Sequence, residues 1–430
     1  MRQESIDVSF DKMPKDWRLV VLGEIGVTYN GLTGKSKEDF GTGEPFIPYM
    51  NIFSNNSINP TWLEYVTISA NENQNQVKYG DIFFTTSSET PKEVGMSSVL
   101  LKDIGVAYLN SFCFGFRLND FNTLIPEYAK FLFRGKEVRK SIIVFAQGST
   151  RFNLSKTTLL KRLTLLLPPL PEQQKIADIL TTVDDKLENI ESQIAEYTNL
   201  KTGLMQQLLT KGIGHSKFVD SKLGMIPEGW RVVKLGEIGS TYNGLSGKSK
   251  DDFGNGEPYI PYMNIFSNNT INPNWLEYVS ISPDENQNAV KYGDVFFTTS
   301  SETPEEVGMS SVLLDDIGTA YLNSFCFGFR LNDFNALLPD YAKFLFRGQA
   351  VRKSIVVFAQ GSTRFNLSKT NILKRLHLAL PPISEQKEIA NILTSVDEKM
   401  KSLLQKKEEY TKLKKGLMEQ LLTGRIRVKV

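Results

Sequence analysis

The chain has 430 residues, of which 40% are hydrophobic and 23% are charged, and its formal net charge is +2. This composition is typical of a folded globular protein and excludes a disordered or low-complexity chain, while the length predicts about two to four domains. The two cysteines exclude a disulfide scaffold, and no apolar run reaches the roughly 18 residues of a membrane span. Because the amino terminus has no signal-peptide core either, we expect a cytoplasmic protein.

The chain contains one domain-sized unit twice. Trp230 lies 213 positions after Trp17, and the same offset relates Gly361-Ser-Thr-Arg364 to Gly148-Ser-Thr-Arg151. About four positions in five match between the copies up to Pro169, and about half match in the segment that follows. The sequence therefore predicts two near-identical domains, each followed by a more divergent segment.

Each domain is predicted to be a β-rich mixed fold of the α+β class. Asp81–Thr86 and Ser111–Leu118 are rich in strand-favouring residues and lie between glycine and asparagine turns. Pro126 is placed to open a helix that would run through Lys140. We expect the first domain to span residues 1–169 and the second, with its linker, residues 212–382.

The segments 170–211 and 383–430 are predicted to be long helices, the second with a carboxy-terminal tail. Pro171-Glu-Gln supplies a helix start in the first copy, Ser384 is the expected N-cap in the second, and Gly212 and Gly424 are the expected stops. Apolar residues recur at spacings of four and three, and this seam consists of Ile176, Leu180, Val183, Leu187, Ile190, Ile194, Tyr197, Leu204 and Leu208 in the first copy and of Ile389, Leu393, Val396, Met400, Leu403, Tyr410, Leu417 and Leu421 in the second.

Two such seams in one chain favour a coiled coil, although an amphipathic helix packed on its own domain gives a similar pattern. Lys201, Lys407 and Lys414 interrupt the seams. Antiparallel pairing lets the second domain fold where the first helix ends, whereas parallel pairing requires the chain to return along a seam of roughly 50 Å. We therefore expect antiparallel helices and an approximate two-fold relation between the copies.

Residues for catalysis are not evident. Thr33-Gly-Lys-Ser36 resembles the end of a phosphate-binding loop, but Tyr29 stands where that motif needs a glycine. The two histidines, His215 and His377, are not equivalent in the repeat, so no catalytic triad could be built in both copies. Cys113 and Cys326 lie in apolar strands and are expected to be buried, and no spacing suits a metal.

Positive charge is concentrated at the end of each domain. The first copy has nine basic residues against Glu137 alone, namely Lys130, Arg134, Lys136, Arg139, Lys140, Arg151, Lys156, Lys161 and Arg162. The second copy has eight and no acid between Lys343 and Arg375. A solvated helix face would give a similar pattern, but its duplication favours a phosphate-binding face.

The polar octapeptide Gln147–Leu154 lies in this window and is repeated unchanged as Gln360–Leu367. Amides, hydroxyls and a guanidinium fork are groups that hold phosphates and read base edges, although turn formation alone would also explain such loops. The predicted DNA-binding residues are Lys35, Ser36, Lys37, Ser87, Ser88, Thr90, Arg134, Arg139, Lys140, Gly148, Ser149, Thr150, Arg151 and Asn153, with Lys248, Ser249, Lys250, Ser300, Ser301, Thr303, Arg347, Arg352, Lys353, Gly361, Ser362, Thr363, Arg364 and Asn366 in the second copy.

The chain resembles the specificity subunit of a type I restriction–modification system. The resemblance rests on the run Gly148–Ala177, which enters a long helix through Pro-Pro-x-x-Glu-Gln, and on its repeat Gly361–Ala390. Ile226–Trp230, at the start of the second domain, and the strand Tyr79–Thr85 support it. One departure is that the two recognition domains of this family are usually dissimilar, whereas these are near-identical.

The resemblance implies two target-recognition domains that read a split sequence in double-stranded DNA and that are separated by helices. Because the two domains are near-identical and antiparallel helices are expected, we expect that sequence to be an inverted repeat. It also implies docking of two methyltransferase subunits and of ATP-dependent restriction subunits. S-adenosylmethionine, ATP and magnesium would belong to those partners, and this chain would be non-catalytic. Two alternatives remain: a DNA-modifying enzyme with its own recognition domains, and a coiled-coil scaffold with protein-binding ends.

Overall fold

The computed structural model describes residues 14–429. The chain divides into two compact units, one formed by Met1–Glu191 with Gln405–Val430 and the other by Ser192–Leu404. Both divisions fall inside a long helix. Each unit therefore combines one globular domain with the first part of one long helix and the last part of the other.

The first unit is mixed α and β. Its strands are β1 (Arg18–Val21), β2 (Gly26–Asn30), β3 (Phe40–Ile47), β4 (Glu64–Val66), β5 (Ile82–Thr85), β6 (Ser87–Ser88), β7 (Ser97–Val99), β8 (Tyr108–Leu109), β9 (Cys113–Leu118), β10 (Phe152–Asn153) and β11 (Thr164–Leu167). Its helices are α1 (Tyr49–Ser54), α2 (Pro126–Leu132), α3 (Lys136–Val144), α4 (Lys156–Arg162) and the first part of α5 (Leu170–Lys211), with short 3-10 turns at Leu22–Glu24 and Lys37–Asp39.

An antiparallel sheet in the order β2-β9-β5-β7 separates two hydrophobic cores. Ile82 and Phe84 of β5 belong to the larger core, whereas Phe83 between them belongs to the smaller one. This alternation follows from the two-residue period of a strand. A second sheet, β4-β3-β8, has its only parallel pairing between β3 and β8, and β1 pairs with β11 where the domain begins and ends.

The second unit repeats this plan. Its strands are β12 (Phe218–Val219), β13 (Ile226–Pro227), β14 (Arg231–Lys234), β15 (Gly239–Asn243), β16 (Phe253–Ile260), β17 (Glu277–Val279), β18 (Val295–Thr298), β19 (Ser300–Ser301), β20 (Ser310–Val312), β21 (Tyr321–Leu322), β22 (Cys326–Leu331), β23 (Ala359–Gln360), β24 (Phe365–Leu367) and β25 (His377–Leu380). Its helices are α6 (Leu235–Ile238), α7 (Tyr262–Ser267), α8 (Pro339–Leu345), α9 (Gln349–Val356), α10 (Lys369–Arg375) and α11 (Ile383–Leu421), the last shared with the first unit, and 3-10 turns lie at Lys250–Asp252 and Pro304–Glu306. The main sheet has the order β15-β22-β18-β20.

The helix expected from Pro126 to Lys140 is two helices. Pro126 does open α2, but the chain is extended at Gly135, whose φ of −65° and ψ of 146° end the helical run before α3. A Cβ at Gly135 would lie 3.0 Å from the Leu132 carbonyl oxygen and from a methyl group of Leu422. The break therefore brings the end of α11 close to the main chain of the first domain.

The Pro-Pro-x-x-Glu-Gln motif joins each domain to its long helix. The Trp17 indole donates a hydrogen bond of 3.0 Å to Glu172, which is 1% exposed. The Gln173 amide donates to the carbonyl groups of Thr123 and Pro168, both at 2.9 Å. Trp230, Glu385 and Gln386 make the same contacts in the second unit. The motif is therefore a structural joint, with its polar groups satisfied inside the protein.

Helix α5 begins at Leu170 and α11 at Ile383, the first residues of the two segments predicted to be helical, but the expected N-cap of the second helix is wrong. In α11 the main-chain N–H of Gln386 donates to the Pro382 carbonyl. Ser384 therefore lies inside the first turn and is not the N-cap. Gly212 follows α5 with a φ of +66°, the left-handed conformation that glycine provides after a helix. Among residues 14–429, none of the helices combines the length and apolar character that a membrane crossing requires.

Seam positions of both helices are buried or half-buried. The lysines that interrupt the seams are paired with acids on the other helix. In the first unit Lys414 lies 2.5 Å from Asp184 and Lys407 lies 2.8 Å from Glu191. In the second unit Lys201 lies 2.5 Å from Asp397.

Candidate nucleic-acid interface

A short hairpin carries the polar octapeptide that both copies share. Gln147 and Asn153 exchange two main-chain hydrogen bonds, with N–O distances of 3.0 and 2.8 Å. Gly148 has a φ of +129°, and a Cβ there would lie 2.0 Å from the Arg151 carbonyl oxygen. Only glycine is compatible with this turn. The residues that follow, Ser149–Arg151, are exposed, as is Asn153.

The arginine of the hairpin is held by a serine on the neighbouring strand. Strand β10 pairs with β6, and the Nε and Nη2 atoms of Arg151 donate to the Ser87 hydroxyl at 3.2 and 3.1 Å. Arg364 donates from Nε to the Ser300 hydroxyl at 3.3 Å, and its guanidinium carbon lies 6.0 Å from the centre of the Phe325 ring. Since a guanidinium carries five N–H donors, most of them are free for a ligand.

An open cleft of about 690 Å³ lies beside this arginine in the first unit. It is lined by Tyr49, Met50, Phe53, Ser87, Ser88, Glu89, Glu93, Phe112, Thr150 and Arg151. The Tyr49 hydroxyl donates to the Ser87 carbonyl at 3.0 Å, and its ring stacks on Phe53 with centres 5.9 Å apart. Apolar side chains beside an arginine form a surface that can contact both the polar edge of a base and a thymine methyl group.

Sequence reasoning missed the aromatic lining of the cleft. Phe112 is 57% exposed and its counterpart Phe325 is 56% exposed, although large aromatic side chains are usually covered. Tyr49–Phe53 is repeated unchanged as Tyr262–Phe266. That identity was a usable signal, but without the structure these residues read as core.

Two of the predicted arginines are engaged inside the first domain. Arg134 donates to the carbonyl groups of residues 52, 53, 55 and 97 at distances of 2.7 to 3.0 Å. Arg139 donates to those of residues 92, 94 and 95 at 2.6 to 2.9 Å. Burial lowers the pKa of each guanidinium to about 10, with the charge of Arg139 as a second cause at Arg134.

Arg347 and Arg352 occupy the same settings in the second domain, and burial likewise lowers their pKa. All four guanidinium groups tie loops together by hydrogen bonds to main-chain carbonyls. We therefore leave these four arginines out of the proposed interface.

The loop that begins with Lys35 is also held within its domain. The Lys35 amine donates to the Thr67 carbonyl and to Glu72, both at 2.6 Å, and its side chain is 3% exposed. This hydrogen bond is the main cause that lowers the pKa of Glu72 to about 2. Ser36 donates to Asp39, which caps the following turn. Of the three predicted residues here, Lys37 remains exposed.

The second copy of this loop has the same contacts. Lys248 donates to the Ser280 carbonyl and to Glu285, and Ser249 donates to Asp252, while Lys250 is exposed. These loops therefore resemble a phosphate-binding loop only in sequence. In the structure each loop lysine is paired with an acid of its own domain.

Of the other predicted residues, Ser87, Ser88 and Thr150 line the cleft, whereas Lys140 lies on α3 and Lys353 on α9. Ser88 and Thr90 donate to Glu93 at 3.2 and 2.7 Å, whereas Ser301 donates to the Thr303 carbonyl. The remaining hairpin residues of the second copy, Gly361, Ser362, Thr363 and Asn366, are exposed.

The helix lysines differ between the copies in one respect. Lys140 is exposed and pairs with Glu137 at 2.9 Å. Lys353 is exposed, and the position equivalent to Glu137 is Ala350.

The number of basic residues between Lys130 and Arg162 overstates how many are free to contact a ligand. Besides the two internal arginines, Lys130 is only 8% exposed, Lys136 pairs with Glu419 at 3.0 Å, and Lys156 donates to Asn30. The acid cancels the charge of Lys136, whereas the other groups keep their charge but have donors that are buried or already engaged. The basic groups left outward include Arg151 and Lys161, and they are fewer than the sequence count suggested.

Cysteine, histidine and acidic side chains are the groups that could bind a metal ion or act as a nucleophile. No group of three or more histidine, cysteine, aspartate or glutamate side chains is arranged to hold a metal ion in that part of the chain. Cys113 and Cys326 are each 2% exposed, as expected, and burial raises the pKa of both thiols. The His215 ring contacts Glu385 at 2.9 Å, at the joint of the second domain.

Comparison with known proteins defines the class. The family described as "Type I restriction modification DNA specificity domain" matches residues 14–197 and 227–412. The chain is 30% identical to the putative type I restriction enzyme MjaX specificity subunit of Methanocaldococcus jannaschii, over 97% of this chain and 95% of that protein. It is 21% identical to the EcoKI specificity subunit of Escherichia coli K12, over 89% and 82% of the two chains.

Solved structures share the fold. A chain from a type I restriction–modification system, in a study of complex assembly and conformational transition, aligns with a TM-score of 0.57 at 18% identity, covering 96% of this chain and all of that one. The S subunit from M. genitalium aligns with a TM-score of 0.56 at 14% identity, covering 96% of each chain. The protein therefore belongs to the type I restriction–modification specificity subunits, and it carries two DNA specificity domains.

Proposed function

We propose that each domain reads one half of a bipartite double-stranded DNA target through its hairpin, Gln147–Asn153 or Gln360–Asn366, and the adjoining cleft. The observation that carries this proposal is the duplicated exposed arginine, which is positioned by a serine and free to donate. An arginine fork most often reads the O6 and N7 acceptors of guanine, and the exposed apolar side chains suit a thymine methyl group.

Exposed lysines would hold the backbone of the duplex. Lys37, Lys140 and Lys161 are exposed in the first domain, and Lys250, Lys353 and Lys374 in the second. Phosphate contacts position a protein on DNA, and base contacts specify the sequence. In this proposal the lysines supply affinity that depends on salt, whereas the arginines supply discrimination between bases.

The long helices would pair as an antiparallel coiled coil that separates the two domains. The residue numbers of the paired side chains add up to 598 in all three cross-helix ion pairs, Asp184 with Lys414, Glu191 with Lys407 and Lys201 with Asp397. A constant sum is the signature of antiparallel pairing in one register, and buried or half-buried seam positions support the same arrangement.

The catalytic steps would belong to partner subunits. Two methyltransferase subunits would dock on the helices and bind S-adenosylmethionine, and restriction subunits would use ATP and magnesium. The specificity chain would select the DNA sequence and hold the partner subunits together. Its near-identical domains would address two copies of one half-site.

Co-purification followed by methylation mapping tests this function. The chain would be expressed with a type I methyltransferase subunit, and the modified positions of a host genome would be mapped. We expect a stable complex and methylation confined to a two-part motif. Failure of the chain to associate with the methyltransferase, or methylation that ignores the chain, would contradict the proposal. Binding to a DNA library at two salt concentrations separates it from a protein-binding scaffold.

A further inference from the structure

One aspartate in each unit links three structural elements, because it lies on one helix and contacts the other helix and the domain. The Asp184 Oδ1 atom of α5 lies 2.5 Å from the Lys414 amine of α11, and its Oδ2 atom accepts a hydrogen bond of 3.1 Å from the Asn56 amide of the domain. The carboxylate therefore links the domain to both helices. Its side chain is 21% exposed, so the contacts are only partly screened by solvent.

The second unit contains the same link with the roles of the helices exchanged. Asp397 of α11 lies 2.5 Å from the Lys201 amine of α5 and accepts from the Asn269 amide at 3.3 Å. Each member lies 213 positions from its counterpart in the other copy. Because this link between the domain and both helices occurs in both units, it is a property of the duplicated unit rather than a chance contact.

The domain side of this link leads directly to the wall of the cleft. Asn56 follows α1, which contributes Tyr49, Met50 and Phe53 to the cleft. Its carbonyl group accepts from the Val99 amide, and Arg134 binds three carbonyl groups at the end of α1. The loop is therefore held rigidly between α1 and Asp184, and a shift of the helices would move the cleft wall.

The helix side of the link specifies register. A lysine at a seam position costs stability relative to leucine, and such polar seam residues are used to select one register and orientation. A slip of one heptad in either direction would break all three cross-helix ion pairs and bring only one of these lysines opposite one of these acids, either Lys407 opposite Asp184 or Lys414 opposite Glu191. The observed register satisfies all three.

We propose that Asp184 and Asp397 are positioning residues that lock each recognition domain to both helix segments beside it, and that they thereby set the spacing between the two half-sites. This inference rests on the proposed function. Register and domain orientation are coupled through one carboxylate in each unit. Loss of the carboxylate should loosen the spacing without changing the bases that each domain reads.

The test compares spacer tolerance in the full chain bound to its methyltransferase. Asp184→Asn with Asp397→Asn keeps the size of both side chains and removes both charges. Methylation would be measured on targets whose spacer is shortened or lengthened by one base pair. We expect the preference for the natural spacer to fall at least about fivefold, while the half-site consensus stays the same. A fivefold change is a coupling of about 1 kcal/mol, which is typical of a single partly exposed charged contact.

Two further pairs of substitutions make the result decisive. Asp185→Asn with Glu398→Gln removes the same charge from exposed neighbouring positions, so it should leave spacer preference unchanged. Asn56→Ala with Asn269→Ala breaks only the domain side of the link and should reproduce the loosening, even if the aspartate variant fails to fold.

The outcomes separate the two proposals. Unchanged spacer discrimination in the folded aspartate or asparagine variants overturns the positioning role, and so does equal loosening in the control. A wild-type complex that methylates no two-part motif contradicts the proposed function instead.

Discussion

Arg134 donates four hydrogen bonds to main-chain carbonyl groups, whereas Arg151, seventeen positions later, donates only to one serine hydroxyl from an exposed hairpin. The first arrangement satisfies the guanidinium inside the domain, so its charge and donors are unavailable to a ligand. The second holds the side chain in place and leaves most donors free. Preorganisation of this kind reduces the entropy that is lost when a ligand binds.

Removal of the hairpin arginines should reduce base discrimination. Arg151→Ala with Arg364→Ala should weaken binding to the natural target by at least about 2 kcal/mol, since one bidentate base contact contributes about 1–3 kcal/mol. Fluorescence anisotropy on natural and scrambled duplexes would measure this. Lys161→Ala with Lys374→Ala removes the same charge from lysines proposed to contact phosphates, and it should weaken binding to both duplexes equally. An equal loss on both duplexes would place the arginines on phosphates, and no loss would remove them from the interface.

Removal of the internal arginines should instead destabilise the domains. Arg134→Ala with Arg347→Ala leaves several carbonyl groups at the end of α1 and α7 without a charged donor, and each such hydrogen bond contributes about 1.5–3 kcal/mol. We expect the free energy of unfolding to fall by about 2–4 kcal/mol per domain, measured by urea denaturation. Arg→Lys at these positions should recover only part of it, because an ammonium cannot reproduce the fork. Wild-type stability of the alanine variant would contradict the assignment.

The sequence could not distinguish these two kinds of arginine. Arg134, Arg139 and Arg151 lie in one basic window, and each is repeated in the second copy. What separates them is whether carbonyl groups from residues 37 to 82 positions earlier in the chain converge on the side chain, and that depends on tertiary structure. The hairpin itself was predictable, because Gly148 and its polar neighbours signal an exposed turn.

At the scale of elements, the heptad pattern was the most reliable guide. It placed α5 and α11 and their buried seam, and Gly212 ended the first helix as expected. The pattern could not show why Lys201, Lys407 and Lys414 interrupt the seam, because their acidic partners lie on the other helix. The division of the region after Pro126 into α2 and α3 was also missed, since Gly135 is extended at a point where Leu422 approaches from a distant part of the chain.

Charges in the seam should separate the long helices. Leu403 is 2% exposed and Leu187 is half-buried, so Leu187→Glu with Leu403→Glu should lose roughly 2 kcal/mol or more of packing at Leu403 and less at Leu187. Circular dichroism should show loss of helix while the β signal of the domains persists. Leu404→Glu is the matched control, because Leu404 is 53% exposed. Equal helicity in the seam and control variants would show that the seam packs elsewhere.

At the scale of the whole molecule, the same contacts occur in both units. In each unit the domain of one copy contacts the end of the long helix of the other copy. A Leu422 methyl group lies 3.0 Å from the Cβ position of Gly135 in the first unit, and a Leu209 methyl group lies 2.7 Å from that of Gly348 in the second. The joints differ, since Arg427 of the carboxy-terminal tail binds Glu172, whereas His215 of the linker binds Glu385. The repeat and the antiparallel course of the helices were predictable from the sequence, but the residues at which each helix end contacts the other domain were not.

The near-identity of the domains and the expected antiparallel pairing of the helices together predict the symmetry of the DNA target. Domains with the same hairpin and cleft should prefer the same half-site. An antiparallel helix pair is related to itself by a two-fold axis, and B-DNA also has two-fold axes perpendicular to its own axis. When the axes coincide, the second domain reads the opposite strand, so the target should be an inverted repeat with an unread spacer.

The expected motif has half-site centres about one helical turn, or ~34 Å, apart, because both domains must approach one face of the duplex. Mapping of methylated positions in a genome that expresses the complex would measure it. Substitutions between the copies, such as Lys92 against Glu305 and Lys102 against Asp315, change charge outside the hairpins and should alter affinity more than sequence. A direct repeat would mean that the domains are related by translation along the DNA. That result would contradict the two-fold arrangement. An asymmetric motif would contradict the expectation that both domains read the same half-site, and would mean that these substitutions change the bases read.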